Sequence, residues 1–172
     1  YVPVGRIANH TRGYNPRSIG IELVNTGRYP HWRDSNHQAM DEPYPEAQIV
    51  ALLALLQYLY FATLVGQARG KFGVNGPAVT GHPVFERYFR VQMNTLELLI
   101  VLLPGLWLFA YYVRPTWAAL LGAVYLVGRF LYLRSYVADP AKRGMGFGLS
   151  MLPIFALLLG ALIGAGSALL RG

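Results

Sequence analysis

Residues 47–66 read AQIVALLALLQYLYFATLVG, twenty positions without one charged side chain. A helix needs about 20 apolar residues to cross the hydrocarbon core of a bilayer, so this stretch predicts a membrane span. Three more segments of the same kind follow at 95–113, 117–136 and 149–170. Pro104 lies inside the second and Pro153 near the start of the fourth, positions a membrane helix tolerates when neighbours satisfy the freed carbonyl. Gly160, Ala161, Gly164, Ala165, Gly166 and Ser167 suit the fourth to close helix contact. The expected fold class is an all-α membrane protein: a four-helix transmembrane bundle over 46–172, with a short, irregular, polar extension over 1–45.

Composition points the same way. Charged residues make up 13% of the 172, against about 25% in a soluble domain, and the mean hydropathy is +0.34. The charge is uneven. Residues 1–46 hold five arginines and five acidic side chains, so the whole +7 excess lies beyond them. A pI near 9.9 raises nucleic acid as a partner. Here the basic residues sit in short loops beside apolar segments, where topology or a small anion accounts for them, and no nucleic-acid partner is expected. There are no cysteines, which excludes disulfides, cysteine metal sites and a cysteine nucleophile. The chain begins at Tyr1 without Met or a signal peptide, so its natural N-terminus is expected to lie further upstream.

Loop charge sets an expected orientation. The connection at 67–91 carries Arg69, Lys71, Arg87 and Arg90, and that at 137–148 carries Lys142 and Arg143, whereas the turn between the second and third segments offers Arg114 alone. Positive loops stay cytoplasmic, which places both longer connections inside and both termini on the opposite face.

Within these spans two polar stripes stand out. Helical spacing puts Arg90, Asn94 and Glu97 on one face at the start of the second segment, and Tyr125, Arg129, Tyr132 and Tyr136 on one face of the third. An arginine at a helix centre costs roughly 2.5–3.5 kcal/mol on the insertion scale. Such groups persist where they face protein, so the two stripes predict a polar ligand site between helices. Arg129 and Arg134 taken singly read as snorkelling or topology residues rather than ligands.

Arg90-Val-Gln-Met-Asn94-Thr-Leu-Glu97, preceded by Phe85-Glu86-Arg87, resembles the signature of the MAPEG family, membrane-associated proteins of eicosanoid and glutathione metabolism. Ala68-Arg69-Gly-Lys-Phe-Gly-Val with Pro77 and Thr80-Gly81-His-Pro is similar to that family's first loop, and Val124-Tyr125-Leu with Arg129, Tyr132, Tyr136 and Arg143 to its third helix and following loop. The likeness covers about 46–172. It implies a four-helix protomer, a homotrimer, and glutathione held between subunits at one membrane face. It further implies that Arg143 stabilises the glutathione thiolate and that Arg90, Asn94, Glu97, Tyr132 and Tyr136 hold the tripeptide. Arg69 and Gln92 would reach it from the neighbouring protomer.

Elementary chemistry fits those roles. Glutathione has two carboxylates, an ammonium and a thiol. Arg90 and Arg69 can make charge-assisted hydrogen bonds to carboxylates, Glu97 can take the ammonium, and Asn94 an amide. A cation at Arg143 favours a thiolate. The second substrate implied is a hydrophobic electrophile or lipid hydroperoxide entering from the bilayer, in a broad detoxifying transferase or peroxidase. Gly70 stands where the leukotriene-forming members carry a second arginine, and Leu98 where a tyrosine often follows the glutamate; both argue against leukotriene synthesis. Two plainer readings stay open. Arg90, Asn94 and Glu97 could form a polar network that holds subunits together, and the chain could be a non-catalytic lipid-binding or scaffold protein of the same fold.

The N-terminal part has a different likeness. Asn9-His10-Thr-Arg-Gly-Tyr-Asn15, Ser18-Ile-Gly-Ile-Glu22-Leu-Val-Asn25 and Pro43-Tyr-Pro-Glu-Ala-Gln48 resemble an internal fragment of a zinc N-acetylmuramoyl-L-alanine amidase, running to about Leu56. Catalytic zinc wants three protein ligands and an open position. His10, His31, His37 and His82 show no ligand spacing, and the family's Gly-His-x-Asp segment is absent. No metal site and no peptidoglycan amidase activity are expected, and 1–45 is expected to be too short to pack a core.

Overall fold

The computed structural model describes residues 46–170; the amidase-like 1–45 segment lies outside the described residues. Four helices follow one another, α1 Glu46–Lys71, α2 Pro83–Tyr112, α3 Pro115–Ala138 and α4 Gly144–Leu169, with a one-turn 3-10 helix at Pro140–Arg143. All four are long and apolar enough to cross a membrane, and no strand occurs among the described residues. The protein is a multi-pass integral membrane protein.

The helices overrun the apolar segments at their ends. With a rise of about 1.5 Å per residue, the 30 residues of α2 exceed a hydrocarbon core of about 30 Å. The polar run from Pro83 is therefore a helical overhang, and the connection expected at 67–91 shrinks to 72–82. Local chemistry fixes the α2 start. Pro83 occupies the first turn, where its missing N–H is no loss, and the preceding His82 accepts from the Val84 amide through Nδ1 at 3.2 Å. Glu86 reaches back to accept from the Gly81 amide at 2.9 Å. The His82 ring stacks on Phe72 at 3.9 Å, and Gly73 and Gly81 adopt the positive φ values, +65° and +137°, that the loop demands.

α2 and α3 form the middle of the bundle, each packed against the other three helices, with α1 and α4 to either side. The main core draws Ala54 from α1, Leu99, Leu102 and Leu106 from α2, Tyr125 from α3, and Ile154 and Leu157 from α4. Gln57, buried in α1, donates to the Leu126 carbonyl at 2.9 Å and ties α1 to α3. Small residues set the closest approaches. A Cβ on Gly128 would stand 2.7 Å from the Leu149 carbonyl carbon, and one on Gly146 would strike the Tyr132 backbone. In the small-residue face of α4, Gly160 meets the Phe109 ring and Gly164 meets Tyr112.

The α1–α2 loop and the 3-10 turn lie at the same end of the bundle. Arg87 makes the join, donating from Nη1 to the Val137 and Ala138 carbonyls at 2.9 and 3.2 Å, a satisfying contact for the acceptors left free at a helix C-terminus.

Candidate functional site

On α2, residues 90, 94 and 97 share a face because 3.6 residues make a turn, and Asn94 joins that face to α3. Asn94 bridges the two helices. Its Oδ1 accepts from Arg129 Nη1 at 3.2 Å, and its Nδ2 donates to Glu97 Oε2 at 3.3 Å. The Arg129 guanidinium lies 4.3 Å from the Tyr132 ring centroid, and Tyr132 stacks on Tyr136 at 5.3 Å with 21° between the planes. A continuous polar seam thus runs from Glu97 through Asn94, Arg129 and Tyr132 to Tyr136.

At the loop end the seam opens into a cavity of about 380 Å³, lined by Val79, Thr80, Pro83, Glu86, Arg87, Phe89, Arg90 and Tyr136. Arg90 and Glu97 are exposed at the two ends of the seam, whereas Asn94 and Tyr136 are half-buried. Arg87 and Arg90 both contribute to the cavity lining beside Tyr136. Cations beside a tyrosine in a cavity wall suit an anionic ligand. Arg143 ends the 3-10 turn, which Asp139 starts by accepting from the Ala141 amide at 3.0 Å. Its guanidinium is exposed and donates to the Pro140 carbonyl at 3.3 Å.

Two expected residues stand apart from the seam within one protomer. Gln92 lies two positions from Asn94, about 200° around the helix, and donates to the Tyr58 hydroxyl of α1 at 3.4 Å. Arg69 donates from Nη1 to the Val74 and Ala78 carbonyls at 3.2 and 2.9 Å, with its guanidinium 4.8 Å from the Phe85 ring centroid. In the single chain it holds the 72–82 loop. Among the described residues no group of three His, Cys, Asp or Glu side chains converges.

Residues 47–163 match the sequence model of the MAPEG family, a stretch that includes the whole seam and all but the end of α4. The chain belongs to the MAPEG family. It is 51% identical over 115 residues to a Synechocystis protein named only as uncharacterized, covering 67% of this chain and 84% of that one. Human microsomal glutathione S-transferase 2 is 47% identical over 115 residues, with 66% of this chain and 78% of the human protein aligned. Bovine leukotriene C4 synthase is 38% identical over 94 residues, 55% of this chain and 63% of that enzyme.

In this MAPEG chain the sequence reading of Arg129 needs correction. It neither snorkels nor faces a loop; it is fully buried, with Nη2 donating to Thr95 Oγ1 at 2.7 Å and to the Val91 carbonyl at 3.3 Å. Gly128 and Gly146 let α4 close against α3 at this level, while the guanidinium itself is directed at α2. Arg134, in contrast, is exposed. Sequence reasoning also missed Arg87 as the side chain that secures the end of α3. The signal for Arg129 was present in its spacing, four residues after one tyrosine and three before another. Nothing comparable marked Arg87.

Proposed function

We propose that this chain is a membrane glutathione transferase that activates the glutathione thiol for attack on hydrophobic electrophiles. The supporting observation is the seam itself: Glu97, Asn94, Arg129, Tyr132 and Tyr136 linked side chain to side chain across α2 and α3, ending in a cavity beside Arg90. The family's membership and its glutathione transferase relatives supply the substrate. In this reading Arg90 takes a carboxylate of glutathione, Glu97 its ammonium, Asn94 an amide, and the tyrosines line the wall. Arg143 lowers the cost of the thiolate by opposite charge. The thiol proton leaves to water, sulfur forms a bond to the electrophilic carbon, and the leaving group departs with its electron pair. Lipid hydroperoxides are a second acceptor class. A homotrimer completes the site, with Gln92 and Arg69 coming from the neighbouring protomer, and the seam opens on the cytoplasmic side with the termini opposite.

Titrating detergent-purified protein with glutathione near neutral pH, and recording the ultraviolet difference spectrum, tests this. A saturable thiolate band is expected. One observation favours a second reading, a lipid-binding or scaffold protein of the same fold: the Arg143 guanidinium is engaged by Pro140 and lines no part of the cavity. Intact oligomers that give no band would select that reading. As for the amidase-like segment, stoichiometric zinc in the purified protein would be needed to assign it an activity.

A further inference from the structure

Arg129 is a full guanidinium at membrane depth with none of its surface exposed, and the ion pair among the described residues, Lys142–Asp139, lies elsewhere. Burying a cation without a carboxylate is costly, so the fold must gain something specific from it. Its hydrogen bonds indicate what. Nη2 spans Thr95 Oγ1 and the Val91 carbonyl on one turn of α2, while Nη1 engages Asn94 Oδ1. Arginine carries donors and no acceptor. Asn94 therefore has to present its oxygen to Arg129, which forces its NH2 the other way, towards Glu97 Oε2. On the opposite side the same guanidinium lies over the Tyr132 ring, which in turn stacks on Tyr136.

We infer that Arg129 is a positioning residue for glutathione: one buried guanidinium sets the flip of Asn94, and through it the carboxylate of Glu97, while seating the tyrosine pair. This rests on the functional reading above, in which Glu97 takes the ligand's ammonium. Arg129 need not touch the ligand. Its effect reaches glutathione through side chains whose alternatives it removes, and the planar fork matters as much as the charge. A lysine at 129 keeps the charge yet cannot satisfy three acceptors from one rigid plane.

The test compares glutathione with glutaryl-cysteinyl-glycine, which lacks the γ-glutamyl ammonium, by equilibrium dialysis on full-length protein in detergent. Hydrogen bonds to charged groups predict that wild type prefers glutathione by roughly tenfold or more. In Arg129→Lys that preference should fall to about twofold or less, because a carboxylate without its brace loses most of its selectivity. A general loss of fold would weaken both ligands equally, so the ratio separates positioning from stability. Thr95→Val removes the 2.7 Å anchor of Arg129 and leaves the charge in place; it should lower the ratio part of the way, and it carries the test where the lysine variant does not assemble. A full wild-type ratio in both variants overturns the inference. Equal wild-type affinity for the two ligands would instead remove the ammonium from Glu97, a failure of the functional reading. Side-chain amide exchange of Asn94 in ligand-free protein then decides: faster exchange in Arg129→Lys upholds the positioning role, and unchanged exchange ends it.

Discussion

At Arg143 a cation is delivered by a short 3-10 turn rather than by a membrane helix, and that placement makes it separable from the fold. Its guanidinium is exposed and makes one backbone contact, so Arg143→Ala should leave assembly and thermal midpoint near wild type. The thiolate band should nevertheless fall at neutral pH, by up to tenfold for each unit the bound thiol's pKa rises when its cation is lost. The sign is specific: because the thiol has become a weaker acid, raising the pH should restore the band. A variant whose band is unchanged at neutral pH takes Arg143 out of the mechanism. Arg69 makes a contrasting case, since it clamps the 72–82 loop through Val74 and Ala78. Arg69→Ala should speed protease cleavage within that loop in ligand-free protein; equal cleavage rates would leave ligand contact as its sole role. Much of this site was legible because helical spacing is geometry. Arg90, Asn94 and Glu97 had to share a face, and so did Tyr132 and Tyr136. The spacing of Arg129 put it on the tyrosine stripe, but its complete burial was not legible, because that depends on how closely the helices approach one another.

That approach is an element-scale property, fixed by two glycines facing across the α3–α4 contact. A Cβ on Gly146 would strike the backbone at Tyr132, whereas Gly148, two residues further along the same helix, has open space around it. Gly146→Ala should therefore push α4 away from the seam. Overpacking of this kind costs about 1–3 kcal/mol and should show as a lower thermal inactivation midpoint together with weaker glutathione binding. Gly148→Ala is the control, expected to be neutral or to gain up to about 1 kcal/mol from helix propensity. If both variants match wild type, close packing does not hold the site together. The same scale explains what hydropathy could and could not locate. It found the four spans because bilayer thickness sets their length. It misplaced the start of α2, because Phe85-Glu86-Arg87 continue the helix before the apolar run that hydropathy measures. The His82-Pro83 pair, a capping side chain before a first-turn proline, was the local sign of that earlier start.

Across the whole molecule the seam poses a problem that one protomer does not solve. Arg90 and Glu97 are exposed at its two ends, and ionisable groups facing lipid are expensive, so a second surface should cover them. Gln92, on the far side of α2 against Tyr58, cannot turn round to its own chain's seam without breaking the helix. It can face the seam of a neighbour related by rotation, the heterologous contact that closes into a ring. The proposed trimer then has a quantitative signature. Take Glu97→Gln, which damages a protomer's own seam, and Gln92→Leu, which damages only what it lends to its neighbour, and let each alone bind glutathione weakly. In a ring of three, any mixture of the two variants contains one interface where an intact Glu97 meets an intact Gln92. Purification through both tags keeps only the mixed rings, so about a third of the sites in that material should be restored. Equilibrium dialysis on co-expressed, tandem-purified protein would count them. Recovery near that fraction would require a site shared between neighbours. No recovery, with mixed assembly verified by the two purification tags, would place the complete glutathione site within a single four-helix chain and leave the polar ends of the seam to be covered by something other than a second copy.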